Sequence, residues 1–416
     1  MFRLTKVALG LLALGLLCSN ARAEGIRKIV VFSPETPLAE RLAIAQSAGG
    51  SLVRTLDLIN AVVIEVSQDL ASAAHAKLSE RAEIIRIDES PRIKWLFSGP
   101  APASFADLPL PDIHGIIKPF KPSQQPGPNP EIPSPDKQVT PWGIKRVNAS
   151  AVWSQNRGQG ARVAVIDTGV DSTHPDLKGN VVGGWNAITK DGNYMDDHGH
   201  GTHVSGTIGA LDNEQGVVGV APQVTIYGVK VLDAGGSGTF DDVIAGMEWA
   251  VKNNMDIASM SLGASSGNES LKAMVEVMSK AGVTLIAAAG NSYCWGESST
   301  VVFPAAYPDA IAIAASNLKD DKDGVADFSS CGPEVDFITP GEDVWSSIPG
   351  GQYAQWSGTS MATPHASGLA ALLVSAKGVK GPENIRAAFK NAATKFEGVA
   401  ENKQGAGLID AVKLVR

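Results

Sequence analysis

Between Arg27 and Phe97 the chain alternates short apolar runs (KIVVF, AVVIEV, IIRID) with two stretches, PLAERLAIAQSAG and DLASAAHAKLSERA, whose apolar residues recur at helical intervals. Brief runs rich in β-branched residues predict strands, and the longer-period stretches predict helices. The resulting order, β-α-β-β-α-β, is that of a small ferredoxin-like α+β module spanning residues 24–97. Residues 98–137 break the pattern: proline recurs throughout, as in PSQQPGPNPEIPSP, and an extended linker is expected. From Gln138 to Arg416 the runs ARVAVID, VTIYGVKVL, DIASMSL, GVTLIAAAG and DAIAIAA alternate with helical segments. Strands that lack polar alternation are covered on both faces, so the fold class expected here is α/β, three layers around a mostly parallel sheet.

The first 23 residues follow a different rule. Their basic start, the apolar run Val7–Cys18 and the small-residue site Ala21-Arg22-Ala23 form a cleavable secretory signal. The run falls short of the roughly 20 residues a spanning helix needs, and Leu16 and Leu17 before Cys18 do not suit a lipoprotein site. The exported chain, bound for the extracellular space or a periplasm, then keeps two cysteines, Cys294 and Cys331, and an even pair in an oxidising compartment predicts a disulfide. Charge adds a further limit. Residues 138–416 carry 20 basic and 29 acidic side chains, and the whole chain is −8. That balance argues against nucleic acid or an anionic membrane as partner and is compatible with bound cations.

The stretch DDHGHGTH holds three of the seven histidines, His198, His200 and His203, at a spacing that would suit either a metal or a catalytic histidine with two supporting neighbours. Its surroundings favour chemistry. ARVAVID ends in Asp167 at the carboxyl edge of a buried strand, where α/β proteins put their sites. His200 stands at the mouth of a helical run, and Ser360 follows a Gly-Thr turn at the start of a long apolar helix. Asp, His and Ser in that chain order match one known arrangement of a Ser-His-Asp triad. A lone serine before a helix is usually a cap, so Ser360 gains meaning only through its partners.

At these residues the sequence resembles the subtilisin-like serine proteases: AVIDTGVDSTHPDL, HGHGTHVSGT and GTSMATPHASG look like the family's three signature segments. AAAGN resembles its oxyanion segment, and SMSLG and GGSGTF its substrate-binding strands. The resemblance implies Ser360 as nucleophile, His200 as general base, Asp167 as the orienting carboxylate and Asn291 as oxyanion donor beside the Ser360 N–H. It implies protein or peptide substrates bound in extended form along Gly236, Ser237, Gly238, Ser261, Leu262 and Gly263, with Phe240 lining an apolar subsite. Ala288, Ala289 and Gly290 border the primary pocket in this comparison, and Val302 stands at its floor, which makes that pocket shallow and apolar. His203 is expected to be a structural histidine satisfied on its own helix, His198 an exposed loop residue, and His174 and His365 packing groups.

The same resemblance implies one structural Ca²⁺ and no catalytic cofactor. The implied ligands are the side chains of Gln138, Asp176 and Asn213 and the carbonyls of Leu211, Gln215 and Val217, a single carboxylate among neutral oxygens. The acidic loop KDDKDG is expected to be a solvated turn, since Lys319 stands where a calcium loop would need its first acid. The N-terminal module resembles the family's inhibitory propeptide, so the expectation is a monomeric proenzyme carrying its own inhibitor. A silent binding protein would not need the complete Asp167, His200, Ser360 and Asn291 set. An esterase would need a G-x-S-x-G elbow, absent around Ser360.

Overall fold

The computed structural model describes residues 25–96, 133–134, 136–294, 298–319 and 322–416. The expected signal peptide and most of the expected linker lie outside the described residues. The N-terminal module runs β1 (Ile26–Phe32), α1 (Leu38–Ser47), β2 (Ser51–Leu56), β3 (Ala61–Val66), α2 (Ala71–Ser79) and β4 (Ile84–Glu89). Its sheet has the order β2-β3-β1-β4 with antiparallel neighbours, the ferredoxin-like arrangement. One face packs Val30, Phe32, Val62 and Ile64 against Ile44, Ala45 and Leu78 of the module's helices. The other face, with Ile29, Val31, Ala61 and Val63, joins the core of the larger domain. Both faces are therefore dry, which explains why KIVVF and AVVIEV lack polar alternation.

The larger domain begins with α3 (Trp142–Arg146) and continues β6 (Arg162–Asp167), β7 (Val181–Asn186), α4 (His200–Gly209), β8 (Thr225–Lys230), β9 (Ser237–Thr239), α5 (Phe240–Lys252), β10 (Ile257–Met260), α6 (Glu269–Lys280), β11 (Thr284–Ala288) and β12 (Ile311–Lys319). The sheet order is Ala393–Thr394, Leu408–Ile409, Val335–Pro340, β12, β11, β10, β6, β8, β7, and the pairings from β7 to Leu408–Ile409 are parallel. Chain order reverses at β6, which has β8 on one side and β10 on the other. Carboxyl ends on either side of such a reversal open a crevice, the usual place for a ligand in α/β proteins. Lys319 and Lys322 of the acidic loop pair across a hairpin.

The two modules meet through charge as well as apolar surface. Thr239 and Asp242 form a capping box at the start of α5, and carboxylates suit that end of a helix. Arg54 lies 3.0 Å from Asp241, whose side chain is fully buried, and also pairs with Asp242. Asp88 accepts the Ser270 N–H at 2.9 Å in the first turn of α6, and Glu248 accepts the Leu58 N–H at 2.7 Å.

Candidate active site

Asp167 ends β6, is fully buried, and accepts the Thr168 N–H at 2.7 Å. Its Oδ1 lies 2.8 Å from His200 Nδ1, which fixes the imidazole and leaves Nε2 as the free nitrogen. His200 owes its place to the first turn of α4. Asp196 accepts the N–H groups of His198, Gly199 and Thr202 at 3.0, 2.8 and 2.9 Å, and Thr168 Oγ1 accepts that of Gly201 at 2.9 Å. These bonds satisfy the orphan donors of a helix start. A Cβ on Gly201 would lie 2.0 Å from the Gly169 carbonyl oxygen, so glycine is what lets α4 dock on the loop after β6.

Ser360 is the second residue of a long helix, α7 (Thr359–Lys377), which packs across β10, β11 and β12. Pro364, inside that helix, lacks the N–H that would bond the Ser360 carbonyl four residues back. Ser261, just past β10, supplies the missing donor: its Oγ reaches Ser360 O at 2.8 Å. In return the Ser360 hydroxyl donates to the Ser261 carbonyl at 2.9 Å rather than to His200. The nucleophile candidate thus rests in a rotamer turned toward the expected substrate-binding strand.

Asn291 faces the same helix start. Its Oδ1 accepts both the N–H and the hydroxyl of Thr359, at 3.0 and 2.9 Å, and this fixes its amide NH₂ beside Gly358. The donor end of the amide thus lies beside the N-terminus of α7, an arrangement that suits the expected oxyanion role. Around them Ala288 and Ala289 are buried, and Gly290 has φ +111°. Val302 is also buried, and its methyl groups lie where side chains on Gly263 and Gly290 would have to go.

The remaining edge is occupied. β5 (Arg92–Lys94) pairs antiparallel with β9, placing Ile93 opposite Gly238 and Lys94 opposite Ser237. Trp95 donates its backbone N–H to Gly236 O at 3.1 Å and accepts the Gly263 N–H at 3.0 Å, so the segment lies between both expected binding strands. The Trp95 ring is fully buried, 4.8 Å from Phe240 and edge-on to it, with Nε1 3.0 Å from Gly238 O.

The profile of the subtilase family matches residues 158–407. The chain belongs to the subtilase family. Subtilisin amylosacchariticus of Bacillus subtilis subsp. amylosacchariticus is 49% identical over 240 residues, which is 57% of this chain and 62% of that protein. Subtilisin of Bacillus pumilus is 48% identical over 240 residues, 57% of this chain and 86% of that one. Subtilisin Savinase of Lederbergia lenta is 42% identical over 280 residues, covering 67% and 100%. The match thus spans about 62% of the length of the first of these subtilisins.

Not every subtilase feature here was visible in the motifs. His203 is satisfied not on its own helix but by the hairpin β15 (Val344–Ile348) and β16 (Gln352–Trp356), after β13 (Lys322–Val325) and β14 (Val335–Pro340) in the chain. Its Nε2 lies 3.2 Å from both Val344 O and Ala354 O, which places a proton there, and burial pushes its pKa down to about 3. Trp356 stacks on the His203 ring at 4.6 Å, with its plane 8° off. His198 is half-buried rather than exposed, its pKa lowered by desolvation and then by His200. Long-range contacts hold the His203 ring, and local sequence gave no sign of them. Asp196 was the one missed residue with a local signal, an acid just before a helical run. Cys294 and Cys331 form the expected disulfide.

The implied calcium ligands come together as well. Gln138 Oε1 accepts the Asn213 N–H at 3.1 Å, and Asp176 accepts the Leu211 N–H on its carbonyl at 2.8 Å and the Val217 N–H on Oδ2 at 2.9 Å. Gln215 donates to Asn213 Oδ1 at 3.3 Å. Asp176 Oδ1 is buried without a hydrogen-bond partner, and burial raises this carboxyl group's pKa. An orphaned carboxylate oxygen beside the 211–217 loop suits a hard cation.

Proposed function

We propose that the protein is an exported serine endopeptidase that cuts peptide bonds of proteins through Asp167, His200 and Ser360, and that it is made as a proenzyme which removes its own N-terminal module. The observation that carries this reading is that the Asp167–His200 pair, the Ser360–Ser261 pair and Asn291 stand at the carboxyl ends of the neighbouring parallel strands β6, β10 and β11, beside the chain-order reversal of the sheet.

A substrate laid along Ser261–Gly263 competes for the Ser261 carbonyl, which frees the Ser360 hydroxyl to turn to His200 Nε2. His200 takes the proton as Oγ attacks the scissile carbonyl carbon, and Asp167 stabilises the imidazolium. The oxyanion receives hydrogen bonds from Asn291 Nδ2 and the Ser360 N–H. His200 then protonates the departing amine, and water, activated by the same imidazole, hydrolyses the acyl-enzyme. Val302, between Gly263 and Gly290, leaves room for small to medium uncharged side chains just N-terminal to the cut. Gln138, Asp176 and Asn213, with the carbonyls of Leu211, Gln215 and Val217, would hold one Ca²⁺, which ties the start of the domain to the 211–217 loop.

The module of residues 24–97 inhibits through β5 and Trp95, which fill the cleft, and tethering gives it a high effective concentration until the chain is cut. The signal of residues 1–23 exports the protein, the linker of residues 98–137 spans to the catalytic domain, and the enzyme acts as a monomer. The test compares purified protein with Ser360→Ala, incubated with calcium at neutral pH, by intact mass and by digestion of a denatured protein. Wild type is expected to lose its N-terminal module and cut the substrate while the variant stays whole and inert. A variant that digests the substrate as fast as wild type overturns the mechanism.

A further inference from the structure

The contact between Arg92 and Asp233 has a chemistry of its own. Asp233 opens the tight turn before β9. Its Oδ1 accepts the Gly235 and Ser237 N–H groups at 2.7 and 3.0 Å, and its backbone N–H donates to Ser237 O at 2.9 Å. These bonds hold the carboxylate in one orientation and leave Oδ2 directed outward. The guanidinium of Arg92 pairs with that oxygen. Arg92 lies opposite Thr239 in the β5–β9 ladder, three residues before Trp95, whose ring fills the Phe240 pocket. The segment therefore bridges two fixed points on the same edge, an apolar pocket and an oriented carboxylate, with Ile93 and Lys94 between them.

We propose that Asp233 is a distal substrate subsite, taking a guanidinium or ammonium group three residues N-terminal to the side chain that enters the Phe240 pocket. This rests on the reading of the chain as an endopeptidase that binds extended peptides along Ser237–Thr239. A peptide strand that adds to this edge in the register of β5 brings its side chain to Asp233 without any new backbone geometry. The Asp241 and Asp242 carboxylates, neutralised by Arg27 and Arg54 while the N-terminal module is docked, lie beyond Thr239 and add negative potential once it has left. The preferred substrates are basic, with an arginine or lysine three positions before an aromatic or large apolar residue.

The experiment uses mature enzyme and internally quenched peptides of the sequence Arg-Ile-Lys-Trp-Leu-Phe-Ser-Gly, with the first residue Arg, Gln or Glu, and locates each cut by mass. For wild type at low salt kcat/KM is expected to fall in the order Arg, Gln, Glu, by about 2–5-fold per step, the range of a partly exposed ion pair. In Asp233→Asn, which keeps an oxygen for the Gly235 and Ser237 amides, the Arg-to-Glu ratio is expected to collapse toward one. Wild type in high salt is expected to show the same collapse without any substitution. An Arg-to-Glu ratio that is unchanged in Asp233→Asn, or a wild-type enzyme indifferent to the first residue, overturns the subsite. Failure of the broader reading looks different: wild type cuts none of the peptides, or Ser360→Ala cuts them as fast as wild type.

Discussion

The Cys294–Cys331 bridge closes a loop with a sequence separation of 37 and stands three residues after Asn291. In the chain-entropy account, cross-linking across such a span removes freedom from the unfolded chain worth about 4 kcal/mol at 25 °C. The native contacts around the bridge do not depend on it. Thr300 N–H to Cys331 O at 2.8 Å, Tyr293 N–H to Phe328 O at 3.0 Å and Ser330 N–H to Gly290 O at 2.9 Å involve no sulfur and are expected to persist when the sulfurs are parted. Most of the loss therefore falls on the unfolded state, and for a domain of this size it corresponds to a Tm drop of about 8 °C. The assay is thermal unfolding of the Ser360→Ala protein, chosen to suppress self-digestion, in three forms: oxidised, reduced with dithiothreitol, and with Cys294→Ser and Cys331→Ser. The reduced and substituted forms should melt together, well below the oxidised one. A shift under about 2 °C would refute the reasoning, since it would mean the loop is already constrained in the unfolded chain.

Two further outcomes are expected. Chelation of calcium should lower the Tm, by about 2.7 kcal/mol of stability if the ion had been at a hundredfold its Kd, and Asp176→Asn should be insensitive to chelator; equal sensitivity in that variant would remove Asp176 from the site. Buried His203 and His365, with pKa values down to about 3 and about 4, refuse protons that the unfolded chain takes up near pH 6.5. Their contribution is thus complete above pH 6.5 and is lost as pH falls toward 4 and then 3. Denaturant unfolding across that window should be less steep in His365→Gln by about 1.4 kcal/mol per pH unit, and an unchanged slope would show that His365 is protonated in the native state.

The legible part of this protein was whatever is written locally. β6 ends in a carboxylate, α4 begins with His200 and α7 has Ser360 in its first turn, and each element end has its own turn chemistry, so the candidate site could be assembled from three short segments. The unpunctuated strands of the larger domain declared burial on two faces. What stayed hidden joins residues far apart in the chain. Ser261 answers the carbonyl that Pro364 leaves free, Trp356 stacks on His203, and Arg54 finds Asp241. None of these has a period or a spacing, because the fold alone brings the partners together. His203 illustrates the limit: a histidine on a helix was expected to use that helix, but a stronger option lay in the carbonyls of a hairpin about 140 residues later.

The face of the small sheet formed by Ile29, Val31, Ala61 and Val63 belongs to the core of its neighbour. A module of about 70 residues has little apolar surface to spare, and on its own this one would present that whole face to water. Docking therefore covers apolar surface that the free module would expose. Under the proposed self-processing, a module cut free is expected to meet the protease as a loosened polypeptide rather than a compact inhibitor ready to return. On that proposal departure and destruction become one event, and the change from silent to active runs in a single direction.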